Sequence, residues 1–157
     1  MTLKEKKFLA VVHAPSEKTL RLARALAAGA RNAGAENVAL SLRSPLITLP
    51  EDVIGADVIV VFTTENFGTI SGAMKDFFDR IYYPCLDNTE GLPCATIVRA
   101  GLDGTGTLRA LDAIVGGLKW KAIQEPLLLH GDYRQEFERQ CYEVGETLSA
   151  GLEMGIF

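Results

Sequence analysis

The sequence predicts a three-layer α/β sandwich built on a five-stranded parallel sheet of order 2-1-3-4-5. Three observations carry that expectation. Apolar runs of strand length alternate with helical segments along the chain, which is the pattern of repeated βαβ units. The run from Asp57 to Thr63, Asp-Val-Ile-Val-Val-Phe-Thr, is nearly unbroken and β-branched, as central strands covered on both faces are. With 157 residues, 48% of them hydrophobic, the chain has enough apolar surface for one core spanning residues 1–157 as a single domain. Right-handed crossovers then place helices on both faces of the sheet.

Taken in order, Phe8 to Val12 reads as the first strand. The first helix follows, with Leu20, Ala23, Leu26, Ala27 and Ala30 on one face and an end near Gly34. Asn37 to Leu42 reads as the second strand. Pro45 and Pro50 in the linker 43–55 leave room for about one helical turn before the central strand. The third helix is expected over Gly72 to Tyr83, capped by Ser71 and stopped by Pro84, with Met74, Phe77, Phe78 and Ile81 at helical spacing. Pro93 to Val98 is the fourth strand. The fourth helix runs from Leu108 to Leu118, capped by Thr105 or Thr107 and closed at Gly116-Gly117. Lys121 to Leu129 is the fifth strand, and Tyr133 to Leu152 the last helix. Repeats and low-complexity tracts are absent from the sequence.

Composition narrows the function. Twenty acidic against sixteen basic residues give a net charge of −4, without the clustered Lys and Arg that a nucleic-acid surface needs. The N-terminal heptad is charged, and the apolar run after it, Phe8 to Val12, is too short for a signal peptide or a membrane span, so a cytoplasmic protein is expected. Cys85, Cys94 and Cys141 form no Cys-x-x-Cys pair and read as reduced structural thiols. His13 and His130 each follow a strand but lack Cys or carboxylate neighbours at ligand spacing, so no metal site is expected. Asp76, Asp79 and Arg80 read as a solvated helix face or an intrahelical ion pair.

Open parallel sheets bind ligands beyond the carboxyl ends of their strands, at the point where strand order reverses. Three loops converge there: residues 13–19, 64–71 and 99–106. His13-Ala14-Pro15-Ser16-Glu17-Lys18-Thr19 enters a helix whose free N–H groups and positive dipole end suit a phosphate, with the Ser16 and Thr19 hydroxyls as donors and Lys18 as added charge. Ser16 as a plain N-cap explains the same loop. The third loop holds Gly101, Gly104 and Gly106, which permit positive φ and close approach of a planar ligand; a tight strand-to-helix turn is the competing explanation.

Residues 64–80 carry a resemblance. Thr64, Phe67, Gly68, Ser71, Gly72, Met74, Lys75, Phe77 and Asp79 resemble the Thr-x-Phe-Gly...Ser-Gly-x-Met-(Arg/Lys)...Phe-x-Asp pattern of flavodoxin-like NAD(P)H:quinone reductases, with one extra residue before Phe67. The first loop resembles the family's Ser/Thr-x-Thr-Gly-x-Thr in part: Ser16 and Thr19 match, while Ala14 and Glu17 replace a hydroxyl residue and the Gly. The resemblance implies a flavodoxin-like fold, whose strand order and flavin position at the switch point are those of flavodoxin itself. It implies FMN held by His13, Ala14, Pro15, Ser16, Lys18 and Thr19 at the phosphate and by Thr64, Glu65, Asn66, Phe67 and Gly68 beside the isoalloxazine. Ala100, Gly101, Leu102, Asp103 and Gly104 complete that implied site.

The function implied is an NAD(P)H-dependent FMN oxidoreductase, taking reducing equivalents from NADH or NADPH to a quinone-like acceptor, with no catalytic side chain named. A homo-oligomer and a redox partner protein are compatible with it. A flavodoxin-type electron carrier without NAD(P)H activity, or a fold-sharing module that has lost FMN, are the alternatives. The scattered charge speaks against an acidic docking face for the carrier. The departures at Ala14 and Glu17 motivate the module.

Overall fold

The structure, a computed structural model, describes residues 4–157, so part of the charged N-terminal heptad lies outside the described residues. Strands β1 (Lys6–Val12), β2 (Val38–Arg43), β3 (Val58–Asn66), β4 (Thr69–Ile70), β5 (Pro93–Ala100), β6 (Lys121–Ala122) and β7 (Leu127–His130) form one sheet. The order β2-β1-β3-β5-β6 is the expected 2-1-3-4-5, with β7 also beside β5 and β4 turned back on β3. Among the described residues every pairing is parallel except β3 with β4. Phe8 lies opposite Val58 and Ile59 opposite Cys94, so β3 is central.

The β-branched run of β3 is unbroken because its two faces feed two cores. Val58, Val60 and Phe62 join Phe8, Ala10 and Ile97 under α1 (Glu17–Asn32) and α5 (Glu136–Met154). Ile59 and Val61 join Leu9 and Val11 on the opposite face. Three helices cover that side: α2 (Pro50–Ile54), α3 (Gly72–Leu86) and α4 (Thr105–Leu118). Burial of whole Val, Ile and Phe side chains, about 1.5–3 kcal/mol each, is the main source of cohesion in both layers.

Several boundaries differ from the expectation. On α1 the buried face is Thr19, Leu22, Ala23, Leu26, Ala27, Gly29 and Ala30, and Leu20 is exposed. α3 runs through Pro84. The missing amide falls in the last turn, where the side chains of Thr89 and Asn88 donate to the Cys85 and Pro84 carbonyls, each at 2.8 Å, and close the helix instead. α4 starts at an αL N-cap, Gly104, rather than at Thr105 or Thr107, and closes at Lys119, φ +59, rather than at Gly116-Gly117. Lys119 takes that conformation as the chain turns to bury Trp120, whose Nε1 donates to Thr89 Oγ1 at 2.8 Å. The expected fifth strand is interrupted at residues 123–126, where Pro126 has no amide for the ladder. α5 begins at Glu136, three residues later than expected.

Arg80 does more than the expected intrahelical pair with Asp76. Its guanidinium also donates to the carbonyls of Thr48 and Pro45 and so fastens the proline-bearing linker to α3. The three cysteines are buried and free, and burial raises the Cys85 and Cys94 thiols to about 11, with the Glu51 carboxylate adding to the rise at Cys85. Burial, reinforced by Glu138, raises Cys141 to about 12. None therefore carries the thiolate that reactivity needs. Among the described residues no helix is long and apolar enough to cross a membrane.

Candidate functional site

The carboxyl ends of β1, β3 and β5 lie side by side, so the three loops after them share one edge of the sheet. The first loop is tied to the central strand by the His13 amide, which donates to the Phe62 carbonyl at 2.9 Å. Burial lowers the His13 imidazole below its ordinary pKa, favouring its neutral form. Ser16 is the N-cap of α1 and forms a reciprocal capping box with Thr19. The Thr19 amide donates to Ser16 Oγ at 3.2 Å, and the Ser16 amide to Thr19 Oγ1 at 3.0 Å. The cap reading of Ser16 thus holds, and it leaves the Glu17 and Lys18 amides as the helix's free N–H pair. Glu17 points outward, its carboxylate 3.6 Å from Arg24 on the exposed side of α1. Lys18 Nζ stands 5.6 Å from the centre of the Tyr133 ring.

Residues 64–71, read from sequence as a loop, are mostly strand. β3 continues to Asn66, turns at Phe67-Gly68 and returns as β4. Both turn residues have positive φ, +52 at Phe67 and +78 at Gly68, as a two-residue hairpin of the primed type demands. Phe67 is 106% exposed. Thr64 Oγ1 donates to Asn66 Oδ1 at 2.8 Å across the approach to the turn. Ser71 caps α3, accepting from the Met74 amide at 3.1 Å, as the sequence predicts.

The third loop meets the hairpin directly. The Leu102 amide donates to Glu65 Oε1 at 3.2 Å. Asp103 Oδ1 accepts from the Thr105 amide at 3.0 Å, and those hydrogen bonds from Thr105 hold the Asp103 carboxyl below its usual range. Arg99 braces the loop's entrance, donating to the carbonyls of Ala100 and Leu129 and stacking on Phe137 at 5.1 Å.

The structure therefore gathers Thr64, Glu65, Asn66, Phe67 and Gly68 with Ala100, Gly101, Leu102, Asp103 and Gly104 in one cluster. His13, Ala14, Pro15 and Ser16 lie beside it along the sheet edge. Lys18 is turned toward the β7–α5 connection, and Thr19 is buried in the cap. Sequence reasoning missed Tyr133, whose buried hydroxyl has no partner at hydrogen-bond distance among the described residues and is raised to about 12 by burial first and the nearby Glu138 carboxylate second. Its signal was its place three residues past the last strand, at the same sheet edge. Thr107, also buried with an unpartnered hydroxyl, sits in the first turn of α4. On the outer side of the first loop, Leu20, Leu42 and Leu46 line a cavity of about 400 Å³ with His13, Ala14 and Pro15.

A family model described as NADPH-dependent FMN reductase matches residues 7–132. The chain belongs to that family. Membership makes it an FMN-dependent flavoprotein oxidoreductase, with NAD(P)H as the family's reductant. No curated protein sequence matches it. Among solved structures, a flavodoxin from the domain Archaea superposes with a TM-score of 0.78 at 17% identity, covering 94% of this chain and 99% of that one. A flavodoxin, WrbA-like protein from Agrobacterium tumefaciens gives 0.71 at 15% identity, over 97% and 99% of the two chains. The flavodiiron protein from Giardia intestinalis gives 0.78 at 17% identity, with 98% of this chain covering 38% of that larger one. These likenesses establish a flavodoxin-like fold.

Two features of these loops are compatible with FMN. The side of Gly68 and Gly101 on which a Cβ would stand is open, with nothing within 4 Å among the described residues, so a planar ring can approach the backbone from that side. The first turn of α1 presents amides and a positive dipole end to an anion.

Proposed function

We propose that the three loops hold FMN and that the protein passes reducing equivalents from NADPH or NADH to a small quinone-like acceptor. The observation that carries this reading is the juxtaposition of an anion-binding helix terminus, at Ser16 to Thr19, with two mutually bonded loops whose glycines expose backbone. A phosphate at the first site is satisfied by the Glu17 and Lys18 amides and by the Ser16 hydroxyl proton, while Thr19 Oγ1, which donates to the Ser16 carbonyl at 3.0 Å, holds that cap in place. The Phe67 ring and the hairpin backbone flank the flavin on one side, and Ala100 to Gly104 on the other. Bound there, FMN supplies the hydride and electron chemistry.

No side chain is assigned a proton transfer. Glu65 is held by the Leu102 amide, and Asp103 by the amide of Thr105, so both carboxylates serve as acceptors that shape the loops. The outward turn of Glu17 removes its carboxylate from the anion's position, which is why this family departure is compatible with phosphate binding.

A flavin-fluorescence titration of phosphate-free apoprotein with FMN and riboflavin tests the site. Tight FMN and weak riboflavin binding is expected. Ser16→Ala combined with Thr19→Ala is expected to lower FMN affinity by roughly 10–100-fold, on the order of 1–3 kcal/mol, and to leave riboflavin unchanged. FMN affinity equal to wild type would remove the phosphate from this loop. NADPH and NADH oxidation by the loaded protein, with a soluble quinone present and absent, then identifies donor and acceptor class.

A further inference from the structure

We propose that Gly106 is a positioning residue that sets the width of the flavin-ring cleft by seating the 64–70 hairpin directly on α4. The inference rests on the FMN site proposed above and assigns a positioning role to a glycine at the end of the third loop that is not among the residues placed against the cofactor there.

Gly106 lies in the first turn of α4, and a Cβ built on it would overlap the carbonyl oxygen of Gly68. The carbonyl at the hairpin tip therefore lies directly against the helix backbone, and only glycine allows that approach. Glycine is a poor helix former, so its presence inside α4 weakens the helix unless the contact compensates. The same helix supplies the contrast. Gly116 has nothing within 4 Å of a Cβ position, so no steric demand excludes a side chain there.

A second, independent tie runs parallel to the first. The Leu102 amide donates to Glu65 Oε1 at 3.2 Å, joining the third loop to the strand end just before the turn. Two points of attachment, one on each side of Phe67, fix the hairpin as a body with the third loop. That fixation explains how Phe67 is held at φ +52, a conformation a bulky residue avoids unless its surroundings impose it. The two walls of the ring site are thus one rigid jaw, and the thickness of a glycine at position 106 sets its opening. The phosphate seat on α1 is not part of this jaw.

This predicts a specific pattern of loss. Gly106→Ala pushes the hairpin outward, so affinity for FMN and for riboflavin falls by the same factor, at least tenfold, and the FMN-to-riboflavin ratio is preserved. The visible absorption bands of the bound flavin shift, because the ring's surroundings change. Gly116→Ala leaves both affinities and the spectrum as in wild type. Glu65→Ala, which cuts the second tie without altering the helix, lowers both affinities in the same proportion. Glu65→Gln retains an acceptor for the Leu102 amide and restores them.

The measurements are paired fluorescence titrations and absorption spectra on all five proteins, each first checked for folding by circular dichroism. If Gly106→Ala does not fold, the Glu65→Ala and Glu65→Gln pair decides. Gly106→Ala or Glu65→Ala binding both flavins as wild type does, or losing FMN alone, overturns the inference. Wild-type protein that binds neither flavin overturns the site itself and the inference with it.

Discussion

Gly145→Val is expected to destabilise the fold by at least ~3 kcal/mol, an overpacking penalty at the upper end because the obstacle is main chain. A Cβ at Gly145 would collide with the Leu26 carbonyl and the Ala30 amide of α1, and one at Gly29 with the Tyr142 carbonyl of α5. The two glycines thus let α1 and α5 touch backbone to backbone over the first core. No rotamer change relieves such a collision, so the helices must separate and open the layer formed by Leu22, Leu26, Cys141 and Leu148. A small α/β domain has about 5–15 kcal/mol in total, so the loss is a large share of it. Chemical denaturation reads the result. A midpoint within about 0.3 M urea of wild type would refute the account, since a slope of ~1–3 kcal/mol/M turns the expected loss into a far larger shift.

Phe67→Gly is expected to move stability and binding in opposite directions. The residue is fully exposed, so truncation loses no packing, while its positive φ stores strain that glycine releases. Unfolding stability should rise by about 1 kcal/mol, or about 2–4 °C in melting temperature for a domain of this size. Flavin affinity should fall about tenfold, ~1.4 kcal/mol, as an aromatic contact is lost. A purely structural Phe67 would give lower stability and unchanged binding. Thermal melts and FMN titrations on the same preparation separate these cases, and Phe67→Asn, which tolerates positive φ, should behave like the glycine variant.

The layers and strand order were readable because the sequence pattern records burial. Val58 to Phe62 is apolar without interruption since both faces of β3 are covered, and Ser71 before Met74, Phe77 and Ile81 marks a cap and a stripe. The loops of the candidate site were placed by the same logic. What escaped has a common cause, since it depends on backbone meeting backbone or on the left-handed region. The Phe67-Gly68 turn lacks the Asn-Gly or Asp-Gly signature of its type, because a bulky residue occupies its first positive-φ position. Lys119 rather than a glycine takes the αL cap of α4. Gly29, Gly106 and Gly145 matter through the side chain they lack, and periodicity does not register an absence. Leu20 and Leu22 each suit an apolar stripe two residues apart, so the true face of α1 depended on where α5 lies.

The seat of α1 on α5 also governs the order in which the molecule is finished. Lys6 Nζ donates to the Leu152 carbonyl at 2.7 Å and the Asn37 amide to Glu153 Oε2 at 3.2 Å, so β1 and the approach to β2 are latched by the last helix, with 146 residues separating the first pair. Contacts that distant form late, after loop closure has been met by the rest of the chain. The capped terminus of α1, although encoded within the first twenty residues, is therefore expected to reach its final position only when α5 docks. After dilution from denaturant, capacity to bind FMN should lag the recovery of far-ultraviolet circular dichroism, and simultaneous recovery would show that α1 is seated without α5. Time, as well as space, would then separate the first loop from the cofactor site proposed for it.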